Sequence, residues 1–425
     1  MRIAARIPTL RPFILLLALL LAGCGGGPQT AGSTSATGVV YAPNGVDPVP
    51  GASVRVVPTS GPAIPPTLAV LCRMPAVAEA TSGHDGAFRL PSLNPGDYTL
   101  IVSLGRFAKV SSLSIAGGVL TPIPPQQTTL PGLESATSSI PRMAVVTGFY
   151  DAMANVLAKF GLGAVDDNGV LVIGTERFDI YRSNDGYTVW NPEWEGWDYL
   201  NFPESYPRFE TLFADLETMR RYDVIVVNCG LDIYAPDYFA DPAIAARVRA
   251  YVEGGGRLYV TDQSYNFVEQ AFPEYLRYQA AADFVGDPAT PEPINSALVG
   301  IGGITTEASV RDAGLAAWLG GFGALNDNGS LHVGDFWGGW TVMVGPHATP
   351  AGGTVKTWVE GPVSFDSYDT ADGYTSTLVE GAIRPLTVSF PCGLGSVIYT
   401  SYHTDSEPHP GFTPQERVLE YLLFQ

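Results

Sequence analysis

The chain has 425 residues, enough for two or three domains. Its formal net charge of -19 makes a surface that repels DNA, RNA and anionic headgroups, so nucleic acid is excluded as an expected partner. Only 15% of the residues are charged while glycine and proline are plentiful, which points to loop-rich extracytoplasmic domains and away from a helical bundle.

The first residues have three parts. Arg2, Arg6 and Arg11 form a basic start, Phe13 to Ala22 is almost unbroken apolar sequence, and Leu21-Ala22-Gly23-Cys24 closes it. The apolar run falls short of the ~20 residues a finished transmembrane helix needs. A basic start, a short apolar middle and small residues at the end make a secretory signal over residues 1–23. The closing tetrad resembles the bacterial lipobox. That resemblance implies a lipid, such as palmitate, on Cys24, and Gly25 in place of Asp implies sorting to the outer membrane. Residues 24–37 are mostly Gly, Ser, Thr and Ala, the composition of a flexible tether.

Three further cysteines remain, Cys72, Cys229 and Cys392. An oxidising compartment allows one disulfide among them and leaves one thiol over. No CxxC or Cys/His cluster has zinc spacing, and no cofactor is expected.

Residues 38–116 read as short strands between turns. Pro43-Asn44-Gly45, Asp85-Gly86 and Pro95-Gly96-Asp97 are turn signals, and Ala52 to Val57 alternates as a half-buried strand does. This is an all-β sandwich pattern. The motifs Gly38-Val39-Val40, Pro50-Gly51-Ala52-Ser53-Val54, Thr81 to Phe88 and Pro95-Gly96-Asp97-Tyr98-Thr99-Leu100 resemble the carboxypeptidase regulatory-like family, a transthyretin-like sandwich. The resemblance implies a non-catalytic spacer or adhesion module.

Residues 117–139 are rich in Pro, Thr and Ser and read as a semi-extended linker. From residue 140 to 425 the pattern becomes strand, helix, strand, helix, strand. Met143 to Thr147, Tyr222 to Asn228, Arg257 to Thr261 and Ser396 to Tyr402 are the strands. Ala152 to Phe160, Ile244 to Val252 and Pro414 to Phe424 have helical spacing. This is the signature of a mostly parallel sheet flanked by helices, flavodoxin-like in class, and a larger α/β domain is expected to fold independently from about Ile140. Tyr222-Asp223-Val224-Ile225-Val226, Val252-Glu253-Gly254-Gly255-Gly256-Arg257-Leu258 and Gly393 to His403 resemble the class I glutamine amidotransferase-like superfamily, nearest its trehalose-utilisation-like branch. Residues 174–210 and 264–385 depart from it as insertions.

The resemblance implies a Cys-His-Glu triad, with the Cys on a sharp turn after the strand Arg257 to Thr261. The residues there are Thr261-Asp262-Gln263-Ser264-Tyr265, without a thiol. The substitute candidates are Cys229, which follows a strand, with His403 and Glu407. Cys229 lacks the flanking glycine of a tight elbow and falls one strand early. Asp262 and Ser264 are metal candidates, since a strand-end Asp with hydroxyls suits Mg²⁺; the competing reading is a helix cap. Trp190, Trp194, Trp197 and Tyr199, interleaved with acids in the segment 187–209, are candidate sugar-binding residues or the buried face of a flap. The expectation is a non-catalytic lipoprotein that binds or scaffolds at the cell envelope, anchored to the membrane by its lipid, with an envelope protein or glycan as partner. The alternatives are a thiol hydrolase or amidase using Cys229, and a carbohydrate-binding module using the aromatic segment.

Overall fold

Turn chemistry and alternation shape the N-terminal third. In this computed structural model residues 34–59, 70, 73–148, 150–183, 187–191, 196–200, 202–230, 237–279, 290–336, 340–347, 354–369, 375–402, 404 and 409–424 are described. The strands are β1 (Thr34–Val39), β2 (Ser53–Pro58), β3 (Ala78–Thr81), β4 (Ala87–Leu93), β5 (Gly96–Leu104) and β6 (Phe107–Ile115). Two short strands follow, β7 (Thr121–Pro122) and β8 (Ser138–Ser139). They form one sheet of order β4-β1-β7 and a second of order β3-β2-β5-β6-β8. Alternate side chains such as Val54, Val56, Leu100 and Val102 are fully buried between them. The Pro-, Thr- and Ser-rich stretch after residue 116 is laid onto this sandwich: β7 runs parallel to β1, and β8 pairs with β6.

The second unit is built on β9 (Met143–Val146), β10 (Asp179–Tyr181), a hairpin of β11 (Tyr187–Asn191) and β12 (Gly196–Leu200), β13 (Val224–Val227) and β14 (Arg257–Thr261). It continues with β15 (Leu276–Tyr278), β16 (Ile304–Val310), β17 (Leu331–Phe336), β18 (Met343–Pro346), β19 (Lys356–Asp369), β20 (Thr375–Cys392) and β21 (Gly395–Thr400). Nine of these make one sheet of order β10-β9-β13-β14-β21-β20-β19-β16-β17. The pairings from β10 to β21 are parallel. Those from β21 to β17 are antiparallel. The expected parallel sheet is therefore one half of a mixed sheet. Its antiparallel half comes mostly from residues 264–385, which the sequence pattern marks as an insertion, with β20 running on to Cys392.

The parallel strands are apolar on both faces because both faces are covered. Ala144, Val146, Ile225, Val227, Leu258 and Val260 pack with helix α2 (Pro242–Glu253), whose Ile244, Val248, Tyr251 and Val252 are the buried face. Asp241 caps that helix and Gly254 ends it. On the other face Met143, Val145, Val224 and Val226 meet helix α1 (Met153–Leu157) and the closing helix α5 (Pro414–Leu423). Helix α5 starts with a full capping box, Thr413 and Glu416 each accepting the other's backbone N–H.

The sandwich and the α/β unit share one apolar core. Phe107 of β6 lies 6.2 Å from Phe160 and 6.3 Å from Phe424 between ring centres. The Trp318 indole, on helix α4 (Ala313–Gly321), donates to the carbonyl of Pro48 at 2.8 Å. Gly161 is held at φ 102° flush against the sandwich, where a Cβ would stand 2.5 Å from the Asn44 nitrogen. Arg417 of α5 reaches Asp47 of the sandwich at 2.9 Å and Glu420 at 2.5 Å, between the rings of Phe322 and Phe412. The two modules close on a common core.

Candidate functional site

Parallel sheets bring the carboxyl ends of their strands to one edge, where loops can present chemistry. Here that edge carries Thr147 after β9, Asn228 and Cys229 after β13, Asp262 after β14, and Ser401 and Tyr402 after β21. The backbones meet closely: a Cβ on Gly148 would fall 1.9 Å from the Cys229 carbonyl oxygen, so only glycine fits there.

Asp262 occupies the sharp turn between β14 and helix α3 (Asn266–Glu269), with φ at +42°. A left-handed backbone at a non-glycine residue is uncommon and costs of order 1–3 kcal/mol unless the surroundings hold it. The surroundings do. Asp262 is fully buried; its Oδ1 accepts from the Thr341 N–H at 2.7 Å, its Oδ2 from the Cys229 thiol at 3.3 Å, and its carbonyl from the Tyr399 hydroxyl at 3.0 Å.

A second buried carboxylate lies beside it. Asp151 accepts the Thr261 hydroxyl on Oδ2; its Oδ1 takes the Thr404 hydroxyl at 2.5 Å, the Thr404 N–H at 3.0 Å and the Ala152 N–H at 2.9 Å. The Asn228 side-chain amide donates to the Asp151 carbonyl at 3.2 Å. Sequence reading passed over Asp151, Thr261 and Thr404. An Asp shortly after an apolar strand was the available signal, but its partners lie as far away as 253 residues.

Cys229 is buried, and burial, with the Asp262 carboxylate next to it, pushes its thiol well above the ordinary range. At neutral pH it is a neutral S–H that donates a hydrogen bond, whereas nucleophilic attack needs the thiolate. Ser264 spends its hydroxyl on the Asn228 carbonyl at 2.6 Å. Ser264 and Asp262 thus serve the protein's own donors and acceptors. Among the described residues no group of three or more His, Cys, Asp or Glu side chains is arranged to hold a metal ion. Cys229 and Cys392 are free and buried. Cys24, Cys72, Trp194, His403 and Glu407 lie outside the described residues. In the aromatic segment Trp190 of β11 stands opposite Trp197 of β12, and Thr188 opposite Tyr199. That hairpin is a separate two-stranded sheet.

Residues 35–123 match the carboxypeptidase regulatory-like domain. The match ends just after β7, so the regulatory-like sandwich includes the first part of the Pro-rich stretch. No curated protein matches the chain. Among solved structures, a cytoplasmic protein from Salmonella typhimurium aligns at 12% identity and a TM-score of 0.32, over 67% of this chain and 98% of its own. A ThuA-like protein from Parabacteroides merdae aligns at 14% identity and 0.32, over 66% of this chain and 87% of its own. A catalytic mutant of a GH42 β-galactosidase from G. stearothermophilus aligns at 11% identity and 0.27, over 68% of this chain and 30% of its own. At these scores the likeness bears on neither activity nor ligand.

Proposed function

We propose that the chain is a non-catalytic lipoprotein, held at the bacterial outer membrane through Cys24, whose α/β domain is an amidotransferase-like scaffold used for binding an envelope protein or glycan. The regulatory-like sandwich, an interaction-type module, supports a binding role. The observation that carries the reading is the turn after β14. Where the amidotransferase-like superfamily carries its nucleophile, this chain has Asp262, with both carboxylate oxygens taken by buried donors. Cys229, the thiol at that edge among the described residues, is buried, and burial pushes its pKa well above the ordinary range.

The test is iodoacetamide labelling of the full folded chain across pH. Cys229 is expected to stay unmodified near neutral pH and to react only on unfolding. Fast labelling at neutral pH, lost in His403→Ala, would overturn the reading in favour of a thiol hydrolase.

A further inference from the structure

Three arginines meet at the sheet edge opposite the Asp262 turn, where the parallel strands begin. Arg142 immediately precedes β9, Arg177 lies just before β10, and Arg221 lies just before β13. With Phe178, Asp179 and Tyr222 they line a cavity of about 220 Å³. All three arginines are exposed.

Among the described residues, Asp179 is the one carboxylate on the cavity's lining. The Tyr222 hydroxyl donates to Asp179 at 2.5 Å, and the Arg221 guanidinium donates to the Tyr181 hydroxyl at 3.5 Å and lies 5.8 Å from the Tyr222 ring centre. Asp223, next to Tyr222 in the chain, is taken by Arg106 at 3.2 Å and by the Arg142 backbone N–H at 2.9 Å. Three guanidiniums and one carboxylate give the cavity a positive balance. The chain as a whole has 42 acidic and 23 basic side chains, so the cavity runs against the sign of the molecule. A concave positive site in a negative molecule focuses its field on small anions. Guanidinium forks match the oxygens of a phosphate in two-point contacts. The buried Phe178 and Tyr222 rings add an apolar wall. The volume is below the roughly 300–1,000 Å³ of drug-sized sites, which sets the ligand's size.

We propose that this cavity binds a phosphate-bearing group of about glycerol-phosphate size. The group's source is either a free phosphate ester or the headgroup of phosphatidylglycerol, and the recognition chemistry is the same for both.

Calorimetric titration of the full chain with inorganic phosphate and with glycerol phosphate, at low salt, reads the site directly. Saturable one-to-one binding is expected, weakened at least about tenfold by Arg177→Gln or Arg221→Gln and also by added sodium chloride. Arg89→Gln, an exposed arginine on the sandwich, should leave it unchanged. Arg→Lys at the same positions keeps charge without the fork and should fall between. Pelleting with phosphatidylcholine vesicles, with and without phosphatidylglycerol, separates the sources. A preference for phosphatidylglycerol that glycerol phosphate competes away, and that Arg142→Gln/Arg177→Gln/Arg221→Gln removes, marks the headgroup. Binding of the soluble ester without a vesicle preference marks the free molecule. Absence of both, or binding that survives the triple substitution in a chain with unchanged near-ultraviolet circular dichroism, overturns the proposal.

Discussion

Glu269→Gln should change how stability depends on pH. Glu269 ends helix α3 and is almost wholly buried. Its Oε1 accepts from the Glu292 N–H at 2.7 Å, and its Oε2 has no partner among the described residues. Burial, with the nearby Glu292 charge adding to it and the Glu292 N–H acting against it, pushes the carboxyl up to about 8 from an ordinary 4.5. Glu292 is pushed up to about 7, again by burial first. Between pH 4.5 and 8 the native state therefore binds more protons than the unfolded chain, so stability falls as pH rises through that window. A shift of about 3.5 units at ~1.36 kcal/mol each sets a ceiling near 5 kcal/mol, most of it spent by pH 8. Gln keeps the acceptor for the Glu292 N–H and cannot ionise. Any cost of its buried amide is the same at every pH. The stability of Glu269→Gln relative to the native sequence should therefore rise by about 3 kcal/mol between pH 5 and 8. Urea unfolding at a series of pH values measures this by linear extrapolation. Because the two glutamates titrate as a pair, the difference curve reports the pair. Parallel curves for variant and native chain across that window would refute the burial argument.

Arg417→Met leaves Asp47 and Glu420 facing each other without their cation, and should cost about 3 kcal/mol while sandwich and α/β unit still melt in one calorimetric transition; two separated transitions would show that the shared core does not couple them. Asp262→Ala and Asp262→Gly should both destabilise, since the Thr341 N–H loses its acceptor, but Gly should be the more stable of the two by about 1 kcal/mol because it accepts φ +42° freely. Equal denaturation midpoints would mean the turn is unstrained. Cys24→Ser should abolish palmitate labelling and detergent partitioning; a labelled variant would remove the anchor.

What was legible in the sequence is what short-range periodicity controls. Ile244, Val248, Tyr251 and Val252, spaced for one helix face, are the buried residues of α2. Met143–Val146 and Val224–Val227 read as apolar runs because a parallel strand covered on both sides has no polar face. The antiparallel half was not legible for a related reason. Register shifts in the β19–β20 pairing break strict alternation, and Gly381, Pro385 and Pro391 sit inside β20 like turn signals. The site was legible as a position only. Asp262 was found after its strand, but its partners Thr341 and Tyr399 are 79 and 137 residues away, and no local spacing announces them. The arginine cavity joins residues 142, 177 and 221, brought together only when β9, β10 and β13 align.

The strain at Asp262 has a visible counterweight. A backbone outlier at a strand end usually points to chemistry, because holding a residue in a disfavoured conformation costs free energy that function can use. At Asp262 the same free energy is balanced by structure. The carboxylate grips the Thr341 N–H, which belongs to the chain leading into β18, and takes the thiol of Cys229 from β13, while Tyr399 of β21 holds the carbonyl. One residue thereby ties three parallel strands to the segment that carries the antiparallel extension. Asp151 fastens Thr261 and Thr404 next to it, so both buried carboxylates at the carboxyl ends of the strands are engaged by the protein's own donors. The disfavoured backbone at Asp262 is thus accounted for by the hydrogen bonds that hold it. The guanidiniums of Arg142, Arg177 and Arg221 line a cavity at the sheet's other end, and the proposed phosphate recognition by the α/β unit would use them.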